Sequence, residues 1–483
     1  MKLKDLLQGI NVLESTADLD MEITGVVRDT RKEIPAGSLF VAVSGFAFDG
    51  NRYIPMAMEK GAAAVITAKK PDLEVPYILV DSDRKALAML GVNFYGHPAE
   101  KMTMIGITGT NGKTSVTLLL KHQLEKTLGA KVGLVGTMDN MIGDLELPTE
   151  RTTPESFELQ GLFAQMVDAG CTHCVMEVSS HALTLDRVEG VHYDVAAFTN
   201  LTEDHLDFHK TMEAYCDAKA ELFRRCDRAV LNRDDEWYDR MVSGATSQVM
   251  TTSVKDEAGL KAEDLELLSD GIRFGAVYGG EKVRVNLPIP GKFTVYNALT
   301  VLGVALQLGI SLPVAAEALA TAQGVKGRVE VVPTPGQPYT VLVDYAHTPD
   351  GLENVLSSVR GFCKGRLIAV FGCGGDRDPI KRPIMGEIGV KLADHTVITS
   401  DNPRTEDPMA IIRDITAKLG EGSWEIIEDR RKAIRYAMDI AKKDDIIVLA
   451  GKGHETYQEI NGVKYHLDER EEVAAYLLEM GKV

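Results

Sequence analysis

Apolar residues along the chain fall into short continuous runs that alternate with stretches of helical spacing. Met104 to Ile107 is one such run, and residues 114–128 then place apolar side chains three and four positions apart. Short buried strands that alternate with amphipathic helices are typical of a mostly parallel sheet covered by helices. The pattern therefore predicts an α/β protein.

The same pattern divides the chain into three predicted domains. Residues 1–98 form a small α/β unit that ends near Gly96-His-Pro98, where Pro98 restricts the residue before it. Residues 99–329 are expected to hold the mostly parallel sheet, with an antiparallel excursion over 271–293. Residues 330–483 repeat the strand–helix alternation and predict a Rossmann-like domain. The most clearly predicted strands outside the central domain are 62–67, 77–80, 340–344, 367–371, 396–399 and 446–449.

A glycine-rich turn joins the run at Met104 to the following helix. Strand, glycine turn and helix together are the setting of a phosphate-binding loop, whose backbone N–H groups and helix N-terminus attract a polyphosphate. Lys113 is then expected to reach the terminal phosphates and the Thr114 hydroxyl to bind Mg²⁺. The predicted ATP-binding residues of this loop are Gly109, Thr110, Asn111, Gly112, Lys113, Thr114 and Ser115.

Polar residues follow two other predicted strands of the central domain, where ligands of such sheets bind. Glu177 closes an apolar strand, and it predicts either a Mg²⁺ ligand or a structural salt bridge, since a buried carboxylate needs a partner. His205 lies in a polar loop and is either a ligand or a cap of the next helix. Lys219, on a helix, has by itself the character of a solvated surface lysine.

Composition and charge exclude several classes of function. The 483 residues carry a formal net charge of −18, which argues against binding to nucleic acid or to a membrane surface. No apolar run is long enough for a membrane span, and the first residues lack the apolar core of a signal peptide, so we expect a cytoplasmic protein.

Two other patterns suggest sites that we do not favour. The Cys171–Cys174 pair has metal-like spacing without a second close pair, so reduced, mostly buried thiols are expected for the six cysteines. The loop Gly372–Asp376 follows a strand but lacks the glycine order of a dinucleotide-binding turn.

Taken in order, the motifs of this chain resemble the Mur ligases that build the peptidoglycan stem peptide, and among them the MurE type. The glycines of the phosphate loop stand at 106, 109 and 112, as in that superfamily. The other matching motifs are Asp29-Thr-Arg31 with Gly37 to Ala42, Arg151-Thr-Thr-Pro154, Glu177 to Ala182, Thr199-Asn-Leu with Asp204 to Asp207, Asp344 to Pro349, and Asp401-Asn-Pro-Arg404.

The resemblance implies an N-terminal domain for the UDP-sugar, a central ATPase and a C-terminal domain for the incoming amino acid. It assigns Mg²⁺ ligation to Glu177 and His205 and carbamylation to Lys219, and with Lys113 these are the expected catalytic residues. Asn297, Arg328 and Asp344 would surround the nucleotide. The residues expected at the UDP-muramoyl-peptide are Thr30, Phe46, Ala47, Phe48, Thr152, Thr153, Ser179, Arg187 and Leu185, where some members carry Gln. From the residues of the N-terminal domain alone, a domain without chemistry is an equally good interpretation.

The implied reaction is ATP-dependent formation of an amide through an acyl phosphate, with UDP-N-acetylmuramoyl-L-alanyl-D-glutamate as the acid. Arg404 is placed to bind a carboxylate, and meso-diaminopimelate differs from lysine by one carboxylate, so diaminopimelate is the expected amine. An Arg404 that only pairs with Glu406 or Asp407 is the simpler alternative. By resemblance the other diaminopimelate contacts are Arg377, Asp401, Asn402, Pro403, Gly451 and Glu455.

The remaining alternatives are a lysine-adding member, a folylpolyglutamate synthase-like ligase and a nucleotide-binding scaffold without catalysis. ATP, Mg²⁺ and the small-molecule substrates are the expected ligands. A monomer is expected.

Overall fold

A computed structural model describes residues 1–45, 49–149, 151–268 and 270–481, except for the side chain of Asp207. Within that description, no helix is long and apolar enough to cross a membrane. The chain forms two compact units, Met1–Gly259 with Thr300–Ser311 and Leu260–Leu299 with Leu312–Val483, which are described separately below.

The first unit begins with a five-stranded sheet in the order β1-β5-β4-β3-β2, parallel except for β1. Helix α3 begins where the Ser82 hydroxyl accepts a hydrogen bond from the Lys85 N–H, a standard N-cap. The strands predicted at 62–67 and 77–80 are confirmed. The elements are β1 (Val12–Ser15), β2 (Val26–Val27), β3 (Ser38–Val41), β4 (Ala62–Thr67), β5 (Tyr77–Val80), α1 (Leu3–Leu6), α2 (Ile54–Glu59) and α3 (Asp83–Phe94).

The first unit continues with eight strands in the order β13-β12-β11-β6-β10-β7-β8-β9. All neighbours are parallel except β7–β8 and β8–β9, so the prediction of a mostly parallel central sheet is confirmed. The strands are β6 (Thr103–Thr108), β7 (Val132–Val135), β8 (Asp139–Ile142), β9 (Leu145–Pro148), β10 (His173–Glu177), β11 (Tyr193–Phe198), β12 (Cys226–Asn232) and β13 (Gln248–Ser253). The helices are α4 (Lys113–Leu128), α5 (Ser156–Asp168), α6 (Ser180–Thr184), α7 (Leu206–His209), α8 (Met212–Ala220) and α9 (Tyr238–Ser243).

The position of β6 determines which segments lie beside the glycine turn. It runs between β10 and β11 with all three strands parallel, so the glycine turn after β6 lies beside the segments that follow Glu177 and Phe198. The carboxyl ends of these three strands form the edge where the predicted site residues were expected.

The second unit begins with an antiparallel meander and two helices. The antiparallel excursion predicted over 271–293 is confirmed, but it starts earlier, with a strand at 260–268 that was not predicted. The elements are β14 (Leu260–Leu268), β15 (Gly271–Tyr278), β16 (Glu281–Leu287), α11 (Leu312–Leu319) and α10 (Lys292–Gln307), of which the residues from Thr300 onward belong to the first unit.

The Rossmann-like sheet of the second unit has the order β17-β18-β22-β19-β20-β21 and is parallel except for β17. The predicted strands are confirmed, whereas β17, β21 and the separate hairpin β23–β24 were not predicted. The strands are β17 (Glu330–Val332), β18 (Thr340–Asp344), β19 (Leu367–Phe371), β20 (His395–Ile398), β21 (Trp424–Ile426), β22 (Ile446–Ala450), β23 (Tyr457–Ile460) and β24 (Val463–His466). The helices are α12 (Pro349–Arg360), α13 (Lys381–Leu392), α14 (Pro408–Thr416), α15 (Arg430–Ile440) and α16 (Glu469–Glu479).

All six cysteines are free thiols, and all but Cys363 are buried. Burial raises the pKa of the Cys216 thiol to about 11 and that of Cys373 to about 12, because a thiolate would lose its hydration there. The expectation of reduced, mostly buried thiols is confirmed.

Candidate active site

The glycine turn after β6 has the backbone that a phosphate loop needs. Gly109 and Gly112 have φ of 147° and 85°, values that favour glycine. A Cβ on Gly109 would lie 1.9 Å from the Thr199 hydroxyl oxygen, so a larger residue cannot replace it without moving the segment after β11. The turn ends at Lys113, the first residue of α4.

The segment after β11 holds this turn in place. The Thr110 N–H donates to the Asn200 carbonyl at 2.8 Å, and the Asn111 N–H donates to Asn200 Oδ1 at 2.9 Å. The Thr199 hydroxyl in turn donates to the Asn111 carbonyl at 2.7 Å. Asn200 therefore supports the loop through both its side chain and its backbone.

Two lysines converge on the carbonyl oxygen of Gly109. Lys113 Nζ donates to it at 3.0 Å, and Lys219 Nζ donates to it at 2.8 Å. Lys219 is 2% exposed, so its interpretation as a solvated surface lysine is wrong. Its ammonium also lies 4.6 Å from the ring centre of Tyr215, whose hydroxyl is 3.2 Å from the Thr110 hydroxyl.

The surroundings of Lys219 disfavour its charged form. Burial removes the hydration of the ammonium, and the nearby positive charge of Lys113 adds to this, so the pKa of Lys219 is well below its usual value. A lysine whose pKa is lowered has a larger fraction of neutral amine, which is the form that reacts with electrophiles.

Glu177 lies at the end of β10 with no exposed surface. Its Oε1 accepts hydrogen bonds from the Thr114 hydroxyl at 2.9 Å and the Thr137 N–H at 3.0 Å, and its Oε2 accepts one from the Thr137 hydroxyl at 3.0 Å. Among the described residues its carboxylate is hydrogen-bonded to Thr114 and Thr137 and to no Lys or Arg, so the salt-bridge alternative is wrong. Thr137, which the sequence did not single out, completes the support of this carboxylate.

His205 occupies the N-cap position of α7 with a left-handed φ of 54°, yet its side chain makes no capping hydrogen bond. The ring lies 6.1 Å from that of Tyr215, and its Nε2 is 3.4 Å from Asp204. His205 is thereby connected to Lys219 through Tyr215, whereas no described contact joins it to Glu177. In the described part of the chain, no group of three or more His, Cys, Asp or Glu side chains is arranged to hold a metal ion.

The residues expected at the muramoyl-peptide adjoin Glu177. The Thr153 hydroxyl donates to the Glu177 carbonyl at 2.8 Å and accepts from the Ser179 N–H at 3.2 Å. Arg187 Nη1 donates to the Thr153 carbonyl at 3.2 Å. The Thr152 hydroxyl lies 3.0 Å from that of Thr137. Leu185 ends α6, half-buried, and donates its N–H to the helix.

Glu155 is a further residue here that the sequence did not indicate. Its carboxylate lies 3.0 Å from Arg187, pairs with Arg151 and is 4.0 Å from Arg84 of the N-terminal domain. The position of Glu155 directly after Arg151-Thr-Thr-Pro154 was the signal that could have found it.

The N-terminal residues assigned to the UDP-sugar are only partly described. Thr30 is 5% exposed, and its carbonyl accepts a hydrogen bond from Lys60 Nζ at 2.6 Å. Phe46, Ala47 and Phe48 lie outside the described residues. Substrate binding by this domain therefore stays a prediction.

In the second unit, two of the three residues expected at the nucleotide are neighbours. The carboxylate of Asp344 accepts the N–H groups of Val329 and Ala346, both at 2.8 Å, and burial raises the pKa of Asp344. Arg328 lies over the ring of Tyr345, 5.3 Å from its centre. Asn297 is buried on α10 without a described contact to either.

Two contacts hold the guanidinium of Arg404 in place. Its backbone has a left-handed φ of 51°, its Nη1 donates to the Gly375 carbonyl at 2.7 Å, and its Nε is 3.4 Å from a carboxylate oxygen of Glu459. The alternative of a pair with Glu406 or Asp407 is wrong, since among the described residues these pair with Arg382 at 2.8 Å and Arg413 at 3.3 Å.

The other residues expected at diaminopimelate mostly cluster around Asn402. Asn402 Nδ2 donates to Glu455 Oε2 at 2.8 Å, and its N–H donates to Asp401 Oδ1 at 2.7 Å. A Cβ on Gly451 would lie 2.7 Å from Asp401 Oδ2, and one on Gly375 would lie 2.0 Å from the Pro403 carbonyl. Arg377 is exposed nearby and donates to the Asp376 carbonyl at 3.1 Å.

Three family models match successive parts of the chain. They are described as "Mur ligase family, catalytic domain" for residues 22–97, "Mur ligase middle domain" for 107–305 and "Mur ligase, glutamate ligase domain" for 327–453.

Proteins with the same name resemble this chain along its full length. The UDP-N-acetylmuramoyl-L-alanyl-D-glutamate–2,6-diaminopimelate ligase 1 of Clostridium acetobutylicum is 48% identical over 484 residues, which cover 99% of this chain and 100% of that protein. The ligase of the same name, without the numeral, from Caldanaerobacter subterraneus subsp. tengcongensis is 47% identical over 489 residues and all of both chains.

Solved structures agree in fold. A structure titled as UDP-N-acetylmuramoyl-L-alanyl-D-glutamate–2,6-diaminopimelate ligase has a TM-score of 0.77 and 31% identity over all of both chains. MurF ligase of Thermotoga maritima in complex with ADP shares the fold at a TM-score of 0.59 and 19% identity, covering 95% of this chain and 96% of that one.

The chain therefore belongs to the Mur ligase family. The predicted three-domain α/β fold, with a parallel-rich central sheet between an N-terminal and a C-terminal domain, is confirmed.

Proposed function

We propose that this chain is an ATP-dependent, ADP-forming ligase that adds meso-diaminopimelate to UDP-N-acetylmuramoyl-L-alanyl-D-glutamate in peptidoglycan precursor synthesis. The observation that carries the proposal is the likeness, over the full length, to relatives named for this reaction. The arrangement of the phosphate loop, Glu177 and Lys219 supports the activation step, and that of Arg404 supports the choice of amine.

In the activation step a carboxylate oxygen of the D-glutamyl residue attacks the γ-phosphorus of ATP. The bond to the β,γ-bridging oxygen breaks, ADP leaves, and an acyl phosphate remains. Two anions must meet, so Lys113 and the loop N–H groups lower the barrier by stabilising the transferring phosphoryl group. Thr153, Ser179 and Arg187 are close enough to Glu177 to orient the acid beside the loop.

The donor set around Glu177 suits Mg²⁺. This ion prefers oxygen ligands, keeps several waters and commonly binds one or two carboxylates together with substrate phosphates, so a cluster of three acidic side chains is not needed. Glu177 is a fully buried carboxylate without a cationic partner among the described residues, and the Thr114 hydroxyl lies 2.9 Å from it. When bound there, Mg²⁺ supplies charge neutralisation for the approaching anions.

Lys219 is suited to the carbamylation expected from the family. The neutral amine attacks the carbon of CO₂, an N–C bond forms, a proton leaves, and the cationic side chain becomes an anion. The lowered pKa of Lys219 supports this reaction, and its position beside Gly109 would place the new anion at the phosphate loop. With His205 it would then complete the polar groups around the metal.

In the second step the amine of the amino acid attacks the acyl phosphate carbon. The tetrahedral intermediate expels phosphate and loses a proton, which leaves an amide. Arg404 is held by Gly375 and Glu459 in a fixed orientation and presents a planar cation to a carboxylate. Lysine lacks the second carboxylate and would leave that cation without its substrate partner, which predicts strong discrimination.

Phosphate release from ATP, measured with the UDP-muramoyl-dipeptide and either meso-diaminopimelate or L-lysine, tests the proposal. Release with diaminopimelate and not with lysine is expected, and Lys113→Ala serves as the inactive control. Release with lysine alone would identify a lysine-adding ligase instead. Phosphate release with glutamate and a folate acceptor would favour the folylpolyglutamate synthase-like alternative. ATP binding without phosphate release would favour the scaffold alternative.

We further expect a monomer that acts in the cytoplasm on small-molecule substrates. Light scattering of the purified protein at micromolar concentration tests the oligomeric state.

A further inference from the structure

One fully buried cation lies beside the residues expected to bind diaminopimelate and has no role in the reaction described so far. Lys452 follows β22 between Gly451 and Gly453, and its side chain has no exposed surface. A buried ammonium must find hydrogen-bond acceptors, since the loss of its hydration is costly. Lys452 Nζ donates to Asn402 Oδ1 and to Glu455 Oε2, both at 3.0 Å.

These contacts fix which way the Asn402 amide points. Its Oδ1 accepts from Lys452 Nζ and from the Glu459 N–H at 2.9 Å, which uses both lone pairs of that oxygen. A rotated amide would turn its own N–H₂ group toward two donors. The Nδ2 group therefore faces Glu455 Oε2, at 2.8 Å.

The two oxygens of the Glu455 carboxylate differ in their hydrogen bonds. Oε2 accepts from both Lys452 and Asn402, whereas Oε1 accepts no hydrogen bond from the described part of the chain. The Glu455 side chain is 15% exposed and that of Arg404 is 21% exposed, whereas Asn402 and Lys452 are buried, so Glu455 can reach a ligand from solvent. An anion with one oxygen anchored and the other available is suited to accept an ammonium group.

We infer that Lys452 is a positioning residue that directs Glu455 Oε1 toward the distal ammonium of the amino acid. The inference rests on the proposed function and concerns the part of that substrate that does not react. Arg404 would bind the distal carboxylate and Glu455 the distal ammonium, so the two side chains complement the two charges on one carbon. Lys452 acts through Asn402 and Glu455 and does not touch the substrate.

The test compares meso-diaminopimelate with 2-aminopimelate, which keeps both carboxylates and one amine but lacks the distal ammonium. For Lys452→Met we expect kcat/KM for diaminopimelate to fall about 10- to 100-fold relative to the wild type, the range for a charged group that loses its hydrogen-bonded orientation. For 2-aminopimelate the fall should be at most a few-fold, and KM for ATP should not change.

Arg366→Met is the matched control for general loss of stability. Arg366 precedes β19 and pairs at 2.7 Å with Asp445, which is buried ahead of β22 at the opposite end of the sheet from Lys452. We expect this variant to lower the melting temperature without changing the ratio of kcat/KM for the two amino acids. Lys452→Gln, which keeps a neutral donor on a shorter side chain, is measured in the same way if Lys452→Met does not fold, and an intermediate ratio is expected.

If the Lys452 variants leave the ratio of kcat/KM for diaminopimelate to kcat/KM for 2-aminopimelate unchanged, the inference is overturned and Lys452 is a structural residue. Wild-type protein that releases no phosphate with diaminopimelate would instead refute the proposed function, so the two failures are distinguishable.

Discussion

Replacing Thr137 by valine isolates one hydrogen bond to the buried carboxylate of Glu177. Valine keeps the shape of threonine and removes the hydroxyl that donates to Glu177 Oε2 at 3.0 Å, while the Thr137 N–H bond to Oε1 remains. A hydrogen bond to a charged group contributes about 1.5–3 kcal/mol, and we expect the lower end of that range because Thr137 is exposed, although Glu177 is not. We expect Thr137→Val to lower the free energy of unfolding of the ligand-free protein by that amount.

The size of this loss should depend on metal and nucleotide. If Glu177 binds Mg²⁺, the ion would neutralise the carboxylate that has lost a hydrogen bond in the variant, and the variant would regain stability that the wild type already has. Mg²⁺ with ADP should therefore stabilise Thr137→Val more than the wild type, since the stabilisation by a ligand rises with the logarithm of its affinity for the folded state.

Urea unfolding followed by tryptophan fluorescence, with and without Mg²⁺ and ADP, measures both effects. Thr252→Val is the matched control, because its buried hydroxyl donates to the neutral Leu231 carbonyl at 3.5 Å, and about 1 kcal/mol is expected whether or not ligands are present. The same loss for Thr137→Val with and without Mg²⁺ and ADP would refute the reasoning that places the metal at Glu177.

Three further outcomes are expected. Lys219→Ala should reduce ligation at least about 100-fold, as when a group that stabilises a transferring phosphoryl is lost, with partial rescue by bicarbonate if carbamylation is the reason; full activity would remove Lys219 from the site. Arg404→Ala should lower kcat/KM for diaminopimelate about 30- to 1000-fold with an unchanged KM for ATP, and an equal loss for both would contradict the specificity role. A hydrogen bond from Arg31 holds the pKa of Asp29 at about 2, below its unfolded value, so this pair stabilises the protein above about pH 4 and the contribution is lost as the pH falls toward 2. Because Arg31 is exposed, the stability difference between wild type and Arg31→Ala in urea unfolding should be small and shrink as the pH falls over that range; a difference that grows would contradict the pairing.

Elements that are determined by neighbouring residues could be predicted from the sequence. The strand before Gly109, the glycine turn and α4 are encoded by neighbouring residues, and their bounds agree with the structure to within one residue. The strand at 260–268 also carries an alternation of apolar and polar residues, yet it was not predicted, because its acidic residues obscured the pattern. The short strands of the hairpin β23–β24 are partly or fully exposed and give no apolar run.

The environment of a side chain was harder to predict than its element. Lys219 donates to a carbonyl 110 positions away in the chain, and no neighbouring residue reveals that the helix turns it inward. Only the resemblance to a family identified it. Thr137 and Lys452 likewise contact Glu177 and Asn402, which lie far away in the sequence, and no local sequence pattern reveals these contacts.

Backbone hydrogen bonds of Arg404 join the loop Asp401-Asn-Pro-Arg404 to the hairpin β23–β24. The Arg404 N–H donates to the Glu459 carbonyl at 3.0 Å, and the Asn461 N–H donates to the Arg404 carbonyl at 2.7 Å. Arg404 thereby forms an isolated parallel β-bridge with the hairpin. A change in the length or twist of the hairpin would thus move the Arg404 guanidinium without replacing any residue that is proposed to bind the amino acid. An attempt to change the amino acid that this ligase adds would then have to exchange the hairpin together with the loop, since hydrogen bonds join the two.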